Sequence, residues 1–214
     1  MTPGYFFRPP FFFPLLYPEL SWRVPTTANE IYLTFDDGPV PGPTEFVLDQ
    51  LDRVKAPATF FLIGDNIRKN PAVFKKILQR GHAFGNHTYH HVSGWKMDSE
   101  DYLANAALCD EELDRAGAPQ AEGRTLFRPP YGRITRRQIA AFKEYKIIMW
   151  DVLTNDYAKN LSPEKCLLGA LGATRPGSIV VFHDSLKAEK NLSFVLPRYL
   201  DRVCEMGYAL KRLP

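Results

Sequence analysis

The chain has 214 residues, of which 45% are apolar and 24% charged, and its formal net charge is +3. This length suits a single domain with a substantial core, and three widely separated cysteines without CxxC spacing exclude a disulfide framework and a thiolate metal site. The cluster Arg133, Arg136 and Arg137 has no wider basic stripe around it, so we interpret it as a solvated helix face and expect no nucleic-acid partner.

Residues 1–29 are predicted to form an arm rich in aromatic residues and proline. The segment carries two aromatic triplets among six prolines, which argue against a helix and favour an extended arm lying across the domain. It lacks the continuous apolar core of a signal peptide, and no apolar run in the chain reaches the roughly 18 residues of a membrane span. A cytoplasmic location is therefore slightly favoured, and an exposed aromatic arm is compatible with a homodimer.

Residues 30–214 alternate between strand and helix patterns. Apolar, β-branched runs predict strands at 31–35, 58–63, 82–85, 125–127, 147–150, 179–182 and 208–213. Amphipathic runs predict helices at 43–54, 71–80, 99–116, 135–145, 162–173 and 192–206. Ser162 before Pro163 is a helix start signal, and Gly81, Gly117 and Gly207 are helix stop signals. The alternation predicts a single α/β domain, a compact β/α barrel around a parallel sheet.

In such barrels the functional residues gather at the carboxyl ends of the strands. The first predicted strand ends in Asp36 and Asp37, which could form a simple turn before Gly-Pro. Two carboxylates at the exit of an apolar strand can also divide the work of metal ligand and proton acceptor.

The third strand exit contains three of the five histidines of the chain. His87 and His91 are four residues apart, so on a helical turn both imidazoles share one face and can bind one metal ion. His90 points off that face, and His82 lies early in the strand, where it is expected to be packed. Two histidines and an aspartate leave coordination positions open for water and a substrate oxygen.

The remaining strand exits supply an arginine and a further histidine. Arg128, before a double proline, can hold a carboxylate in place. His183 directly follows four apolar residues and is in position to act as a general acid. Together with an open metal site, such groups provide what amide hydrolysis needs.

The order of these motifs resembles that of the polysaccharide deacetylase family, the NodB-homology domain of carbohydrate esterase family 4. The five family motifs align with 34–39, 87–91, 128–132, 150–157 and 181–184, within a resemblance that covers 30–214. The resemblance implies a NodB-like, distorted (β/α)7 barrel and a catalytic domain at 30–214 behind the arm at 1–29.

The resemblance also implies a role for each motif residue. Asp36 matches the catalytic base, and Arg128 matches the arginine that orients the catalytic residues. The metal triad corresponds to Asp37, His87 and His91, with one divalent ion, most often Zn²⁺, while Fe²⁺ or Co²⁺ suit the same ligands. The backbone N–H of Tyr131 matches the oxyanion donor, and His183 matches the general acid, supported by an aspartate of the fourth motif.

The fourth motif departs from the family pattern Asp-x-x-Asp-Trp. Leu153 replaces its first Asp and Tyr157 its Trp, which leaves Asp156 as the best partner for His183, ahead of Asp151 and Asp184. Val181 stands where a Leu often lines the acetyl pocket.

We therefore expect a metal-dependent hydrolase that removes N-acetyl groups from peptidoglycan or chitin-like glycans. The alternatives are an O-acetyl xylan esterase, a small-molecule amidohydrolase on the same scaffold, and a non-catalytic glycan-binding module. A protein of the last kind usually loses the base, the acid or a metal ligand, and all of these are present here.

Overall fold

The computed structural model describes residues 5–119 and 123–214. The strands of this part of the chain are β1 (Glu30–Asp36), β2 (Thr59–Leu62), β3 (Ala83–Asn86), β4 (Thr125–Phe127), β5 (Tyr145–Ile147), β6 (Val152–Leu153), β7 (Ile179–His183) and β8 (Ala209–Lys211). The α-helices are α1 (Phe13–Leu16), α2 (Pro43–Arg53), α3 (Gly64–Lys69), α4 (Pro71–Gln79), α5 (Ser99–Arg115), α6 (Arg136–Ala141), α7 (Pro163–Ala173) and α8 (Glu189–Glu205). Two short 3₁₀ helices lie at Gly94–Lys96 and Pro130–Gly132.

The strands form one parallel sheet that curls into an incomplete barrel. Its order is β5-β4-β3-β2-β1-β7-β6, and β8 pairs with the first half of β1. β5 and β6 stand at opposite ends of this order, yet only residues 148–151 separate them in the chain. So short a link requires the two ends of the sheet to be neighbours. The predicted α/β barrel class is therefore confirmed.

The central strand β1 divides its side chains between two environments. Leu33 and Phe35 point outward into the large apolar cluster under the helices, whereas Tyr32 points inward to a smaller cluster inside the barrel. Because successive side chains of a strand face opposite sides, Thr34 and Asp36 also point inward. The alternation thus places a carboxylate on the inner face of the barrel at the end of its central strand.

The prediction of one strand at 147–150 is wrong. In this segment the N–H of Ile148 donates to Phe127 in β4, and the N–H of Asp151 donates to Ile179 in β7. This segment passes from one end of the sheet to the other, so its regular strand pairing is interrupted. Two separate strands, β5 and β6, lie before and after it. The other six predicted strands agree with the structure to within a few residues.

The helix predictions needed three corrections. The helix predicted at 135–145 ends at Ala141, because Tyr145 already belongs to β5, and the helix predicted from 192 begins at Glu189. α3 was missed, since six residues are too short for a clear periodic pattern. The start and stop signals were correct: Ser162 accepts a hydrogen bond from the N–H of Lys165, and all three stop glycines have positive φ.

The N-terminal segment contains a helix where none was expected. α1 accommodates a proline because that residue lies in the first turn, where no N–H partner is needed. The rest of the segment lies on the barrel through backbone contacts: Ser21 pairs with Ile148, Arg23 pairs with Ser178, and the carbonyl of Phe7 accepts from the N–H of Leu153.

Two of the three cysteines are buried as expected, Cys109 and Cys166, but Cys204 is exposed near the end of α8. Arg136 and Arg137 are exposed on α6, in agreement with a solvated helix face. Among the described residues, no helix combines the length and the apolar character needed to cross a bilayer.

Candidate active site

The exits of the seven strands β1 to β7 open onto one rim of the barrel around a pocket of about 530 Å³. Six of the predicted site residues line this pocket, namely Asp36, Asp37, His87, His91, Tyr131 and His183. The other two, Arg128 and Asp156, lie beneath it and are fully buried. The structure therefore brings all the predicted site residues together.

Asp37, His87 and His91 form a cluster suited to one metal ion. The Asp37 Oδ1 atom lies 3.2 Å from His91 Nε2 and 3.7 Å from His87 Nε2, and the three ligand atoms lie within 4.8 Å of one another. Ligands about 2.0–2.2 Å from a common ion are themselves roughly 3–3.6 Å apart, and the two carboxylate–imidazole separations are close to this range. His87 Nδ1 is 2.7 Å from the carbonyl oxygen of Arg128, and donation to this oxygen leaves Nε2 free to bind a metal.

The protonation states of this cluster also suit metal binding. Burial lowers the pKa of His87 to about 4, which keeps the ring neutral. Burial alone would raise the pKa of Asp37, but the hydrogen bond from His91 and the charge of His183 outweigh it and lower that pKa. A neutral imidazole and an ionised carboxylate are the forms that bind a divalent cation.

The spacing of His87 and His91 predicted a helical turn, but neither residue lies in a helix. They lie in an irregular loop in which Thr88 and His91 have positive φ. The Asn86 side chain accepts the N–H of Thr88, and the Asn105 side chain accepts the N–H groups of Tyr89 and His90. These side-chain acceptors replace the backbone bonds of a helix and hold both rings on the same centre.

Arg128 holds Asp36 from inside the barrel. Its Nη1 atom donates to Asp36 Oδ1 at 2.7 Å and to Thr34 Oγ1 at 2.8 Å, and its remaining donors reach the carbonyls of Ile148 and Met149. Burial lowers the pKa of Arg128, and the charge of Asp36 opposes this effect. Asp36 Oδ2 has no hydrogen-bond partner in residues 5–119 and 123–214. The carboxylate is thus fixed by one oxygen and presents the other to the pocket.

His183 is paired with Asp156, the partner that the sequence favoured. The Nδ1 atom of His183 is 2.7 Å from Asp156 Oδ1, and its backbone N–H donates to Oδ2 at 2.8 Å. Burial lowers the pKa of His183, but the charge and hydrogen bond of Asp156, together with Asp37 and Asp36, raise it to about 9. The other two candidates are engaged elsewhere: Asp151 with Arg175 and Ser178, and Asp184 with Gly38 and Thr44.

Tyr131 lies beside the metal ligands in a strained conformation. Its φ is 61°, and its ring centroid is 4.6 Å from that of His91. No acceptor for its backbone N–H is found among the described residues. This N–H is therefore available to a ligand.

Left-handed backbone is concentrated around the pocket. Six non-glycine residues in the described part of the chain have positive φ, and five of them belong to the strand exits of the site. These five are Asp37, Thr88, His91, Tyr131 and Asn155. Each such residue costs on the order of 1–3 kcal/mol and persists only where the surroundings impose it, as they often do at functional sites.

An apolar wall closes the pocket on the side of β6. It is formed by Trp150, Leu153 and Val181. Tyr157 continues this wall and packs edge-on against His183, with ring centroids 4.8 Å apart. The two residues that depart from the family pattern, Leu153 and Tyr157, thus both lie in the pocket.

Two residues support the pocket in ways that the sequence did not indicate: Asn86 was not singled out, and Asp184 was considered only as a partner for His183. Asn86 anchors the histidine loop to α5 by donating to the carbonyl of Ala106. Asp184 is fully buried and accepts from the N–H of Gly38 and the hydroxyl of Thr44, near Asp36 and Asp37. Burial raises the pKa of Asp184 well above its usual range. The sequence feature that could have identified Asn86 and Asp184 is their position, since each is adjacent to a motif histidine.

Comparison with known proteins agrees with this geometry. The model of the family described as polysaccharide deacetylase matches residues 23–150. A peptidoglycan-N-acetylglucosamine deacetylase of Bacillus cereus is 38% identical over 165 residues, which are 75% of this chain and 58% of that protein. A chitooligosaccharide deacetylase of Bradyrhizobium sp. is 32% identical over 175 residues, 81% of this chain and 78% of that protein.

A solved structure extends the similarity to the whole fold. The crystal structure of a peptidoglycan N-acetylglucosamine deacetylase in complex with 4-naphthalen-1-yl-N-oxidanyl-benzamide superposes with a TM-score of 0.85 at 31% identity. The superposition covers 96% of this chain and 95% of that one.

Proposed function

This chain belongs to the polysaccharide deacetylase family, and from that premise we propose that it removes N-acetyl groups from amino-sugar glycans by metal-dependent hydrolysis. The substrates of the relatives favour peptidoglycan or chitin-like chains of N-acetylglucosamine. One observation carries the proposal: a three-ligand metal cluster lies between a carboxylate held by Arg128 and an imidazole held by Asp156, over a single pocket.

The residues divide the hydrolysis between two proton transfers. Asp37, His87 and His91 would hold a divalent ion, which would supply Lewis acidity to the acetyl carbonyl and acidify water. Asp36 accepts the proton of the attacking water on its free oxygen, Oδ2. His183 donates a proton to the nitrogen of the leaving amine as the C–N bond breaks. The products are acetate and a free amino sugar.

Two further features suit the proposed reaction. The backbone N–H of Tyr131 is assigned as a donor to the oxygen that becomes negatively charged when water adds to the carbonyl. The apolar wall of Trp150, Leu153 and Val181 offers a place for the acetyl methyl group.

Zn²⁺ is the ion we propose for the site. Two imidazoles and one carboxylate with open positions match catalytic zinc centres, although the same set also binds Fe²⁺ and Co²⁺. Metal analysis of the purified protein and activity after adding back each ion identify the preferred one.

The test is acetate release from acetylated glycans by wild type and Asp36→Asn. Because Asp36 is assigned as base and not as ligand, the variant should keep one bound ion per chain while turnover falls by roughly 10²–10⁴-fold. Arg128 can still donate to the asparagine oxygen, so the variant is expected to keep its fold. Thermal unfolding and metal content are measured as controls for this.

Loss of the ion together with the activity would make Asp36 a ligand instead. Acetate release from O-acetyl xylan but from no N-acetyl glycan would replace the proposed amidase with an esterase.

A further inference from the structure

Two cations stand at the mouth of the pocket and are not used by the proposed chemistry. Lys187 and Arg133 both line the pocket, and both are exposed. Among the residues that the structure describes, the only acidic ones that line it are Asp36, which pairs with Arg128, and Asp37, which belongs to the metal cluster. The rim of the pocket is therefore positively charged.

Each cation is connected to the reaction centre through one aromatic ring. The Lys187 Nζ atom lies 5.0 Å from the ring centroid of Tyr157, whose ring packs against His183. The Arg133 Cζ atom lies 5.8 Å from the ring centroid of Tyr131, whose ring packs against His91. One cation thus stands on the side of the proposed acid, and the other stands on the side of the metal ligands.

Neither cation is neutralised by the protein. In residues 5–119 and 123–214, no carboxylate forms an ion pair with Lys187 or with Arg133. Their contacts are with rings: Tyr157 for the lysine, and Tyr131 and Trp95 for the arginine. Contact with an aromatic face positions a cation without cancelling its charge. Both charges remain available to a ligand, and like charges lining a cleft attract ligands of opposite sign.

We propose that Lys187 and Arg133 are anion-binding subsites on either side of the reacting acetamido unit, and that the preferred substrate is a glycan with carboxylates on the neighbouring units. This inference rests on the proposed deacetylase function and narrows its substrate class from glycans in general to anionic ones. A carboxylate suits a single cation on each side, whereas a phosphate would call for several converging donors.

The test compares two oligosaccharides of equal length, both with N-acetylglucosamine at the reacting position. In one, the neighbouring units carry lactyl carboxylates; in the other, the same groups are carboxamides. Acetate release gives kcat/KM for each, and the ratio of the two values measures the preference for charge. We expect wild type to prefer the carboxylate, mainly through a lower KM.

Substitutions then assign that preference to the two residues. Lys187→Gln and Arg133→Gln should each reduce the ratio about 2- to 5-fold, the range of a solvent-exposed ion pair, and the double variant should bring it close to one. Raising the salt concentration should reduce the ratio in wild type, because exposed charges are screened. Lys75→Gln is the matched control, since Lys75 is exposed, lies on α4 outside the pocket and should leave the ratio as in wild type.

A wild-type ratio of one would overturn the inference, as would a double variant that is folded by thermal unfolding and keeps the wild-type ratio. Acetate release from both oligosaccharides with no preference would leave the deacetylase function intact and refute only the anionic subsites. Absence of acetate release from either one and from neutral N-acetylglucosamine oligomers would instead refute the proposed function, and the inference with it.

Discussion

The imidazole of His183 illustrates how single residues set the chemistry of this site. A free histidine side chain titrates near pH 6.5, and burial alone would push the equilibrium further toward the neutral ring. Asp156 reverses this by accepting from both Nδ1 and the backbone N–H, and the pKa of His183 rises to about 9. In the metal-free protein the His183 ring is therefore protonated at neutral pH.

We predict that Asp156→Asn moves the alkaline limb of kcat/KM to lower pH. A general acid acts only when protonated, so activity falls as the pH rises through the pKa of His183. Removing the negative charge beside the ring lowers that pKa, by about 1–3 units for a neighbouring charge. A bound divalent ion also favours the neutral form of the His183 ring. The alkaline limb of wild type is therefore expected between the unperturbed histidine pKa of roughly 6.5 and the His183 pKa of about 9 in the metal-free protein.

The comparison needs pH profiles of wild type, Asp156→Asn and His183→Ala on one amide substrate, with metal content measured for each. His183→Ala should lose the alkaline limb and most of the turnover, by roughly 10²–10⁴-fold. An unshifted limb in Asp156→Asn would show that this carboxylate does not tune the acid, and full activity in His183→Ala would refute the acid assignment.

At the scale of elements, the contact between the N-terminal segment and α7 depends on one glycine. A Cβ atom built on Gly169 would lie 2.2 Å from Cζ of Phe7, so the absence of a side chain there lets the Phe7 ring pack against the helix. Gly172, three residues further along the same helix, has nothing within 4 Å of an added Cβ. The pair separates the effect of helix propensity from the effect of this contact.

We expect Gly172→Ala to stabilise the protein and Gly169→Ala not to stabilise it. Alanine favours a helix over glycine by up to about 1 kcal/mol, so Gly172→Ala should raise Tm by roughly 2–4 °C. Gly169→Ala should show no such gain, because Phe7 must move away, and chymotrypsin should then cut faster near Phe6 and Phe7. Equal gains in Tm with unchanged cleavage would mean that the segment does not pack on α7 in solution.

At the scale of the whole molecule, the metal cluster ties separate parts of the chain together. Asp37 follows β1, and His87 and His91 follow β3, so a shared ion links two non-adjacent strands of the sheet. An ion that binds only the folded state stabilises it by about 2.7 kcal/mol at 100 times Kd.

For a protein of this size, we therefore predict that saturating zinc raises Tm by about 5–10 °C over the chelator-treated protein. His87→Ala should abolish most of this rise, whereas Asp36→Asn should keep it. A rise of equal size in His87→Ala and wild type would place the ion elsewhere.

Much of this protein could be predicted from its sequence, because the informative patterns are local. Apolar runs of strand length, helix starts such as Ser162 and glycine stops indicate the alternating elements of a parallel barrel. The carboxyl ends of parallel strands share one rim, so polar residues directly after the runs could be assigned to a single site. The family resemblance, confirmed by the match over residues 23–150, follows from the order of the same motifs.

The tertiary structure decided what depends on contacts between distant residues. The segment at 147–150 is not a single strand because the curled sheet draws it toward β4 and then β7. The loop of His87 and His91 is not a helical turn, because Asn86 and Asn105 supply acceptors that no spacing rule includes. Asp156 pairs with His183 across 27 residues, since the β6–β7 pairing brings the two strand exits together. The sequence by itself thus determined which groups are present, and the packing of the barrel determined which of them meet, because side-chain distances are set by strand register and loop geometry.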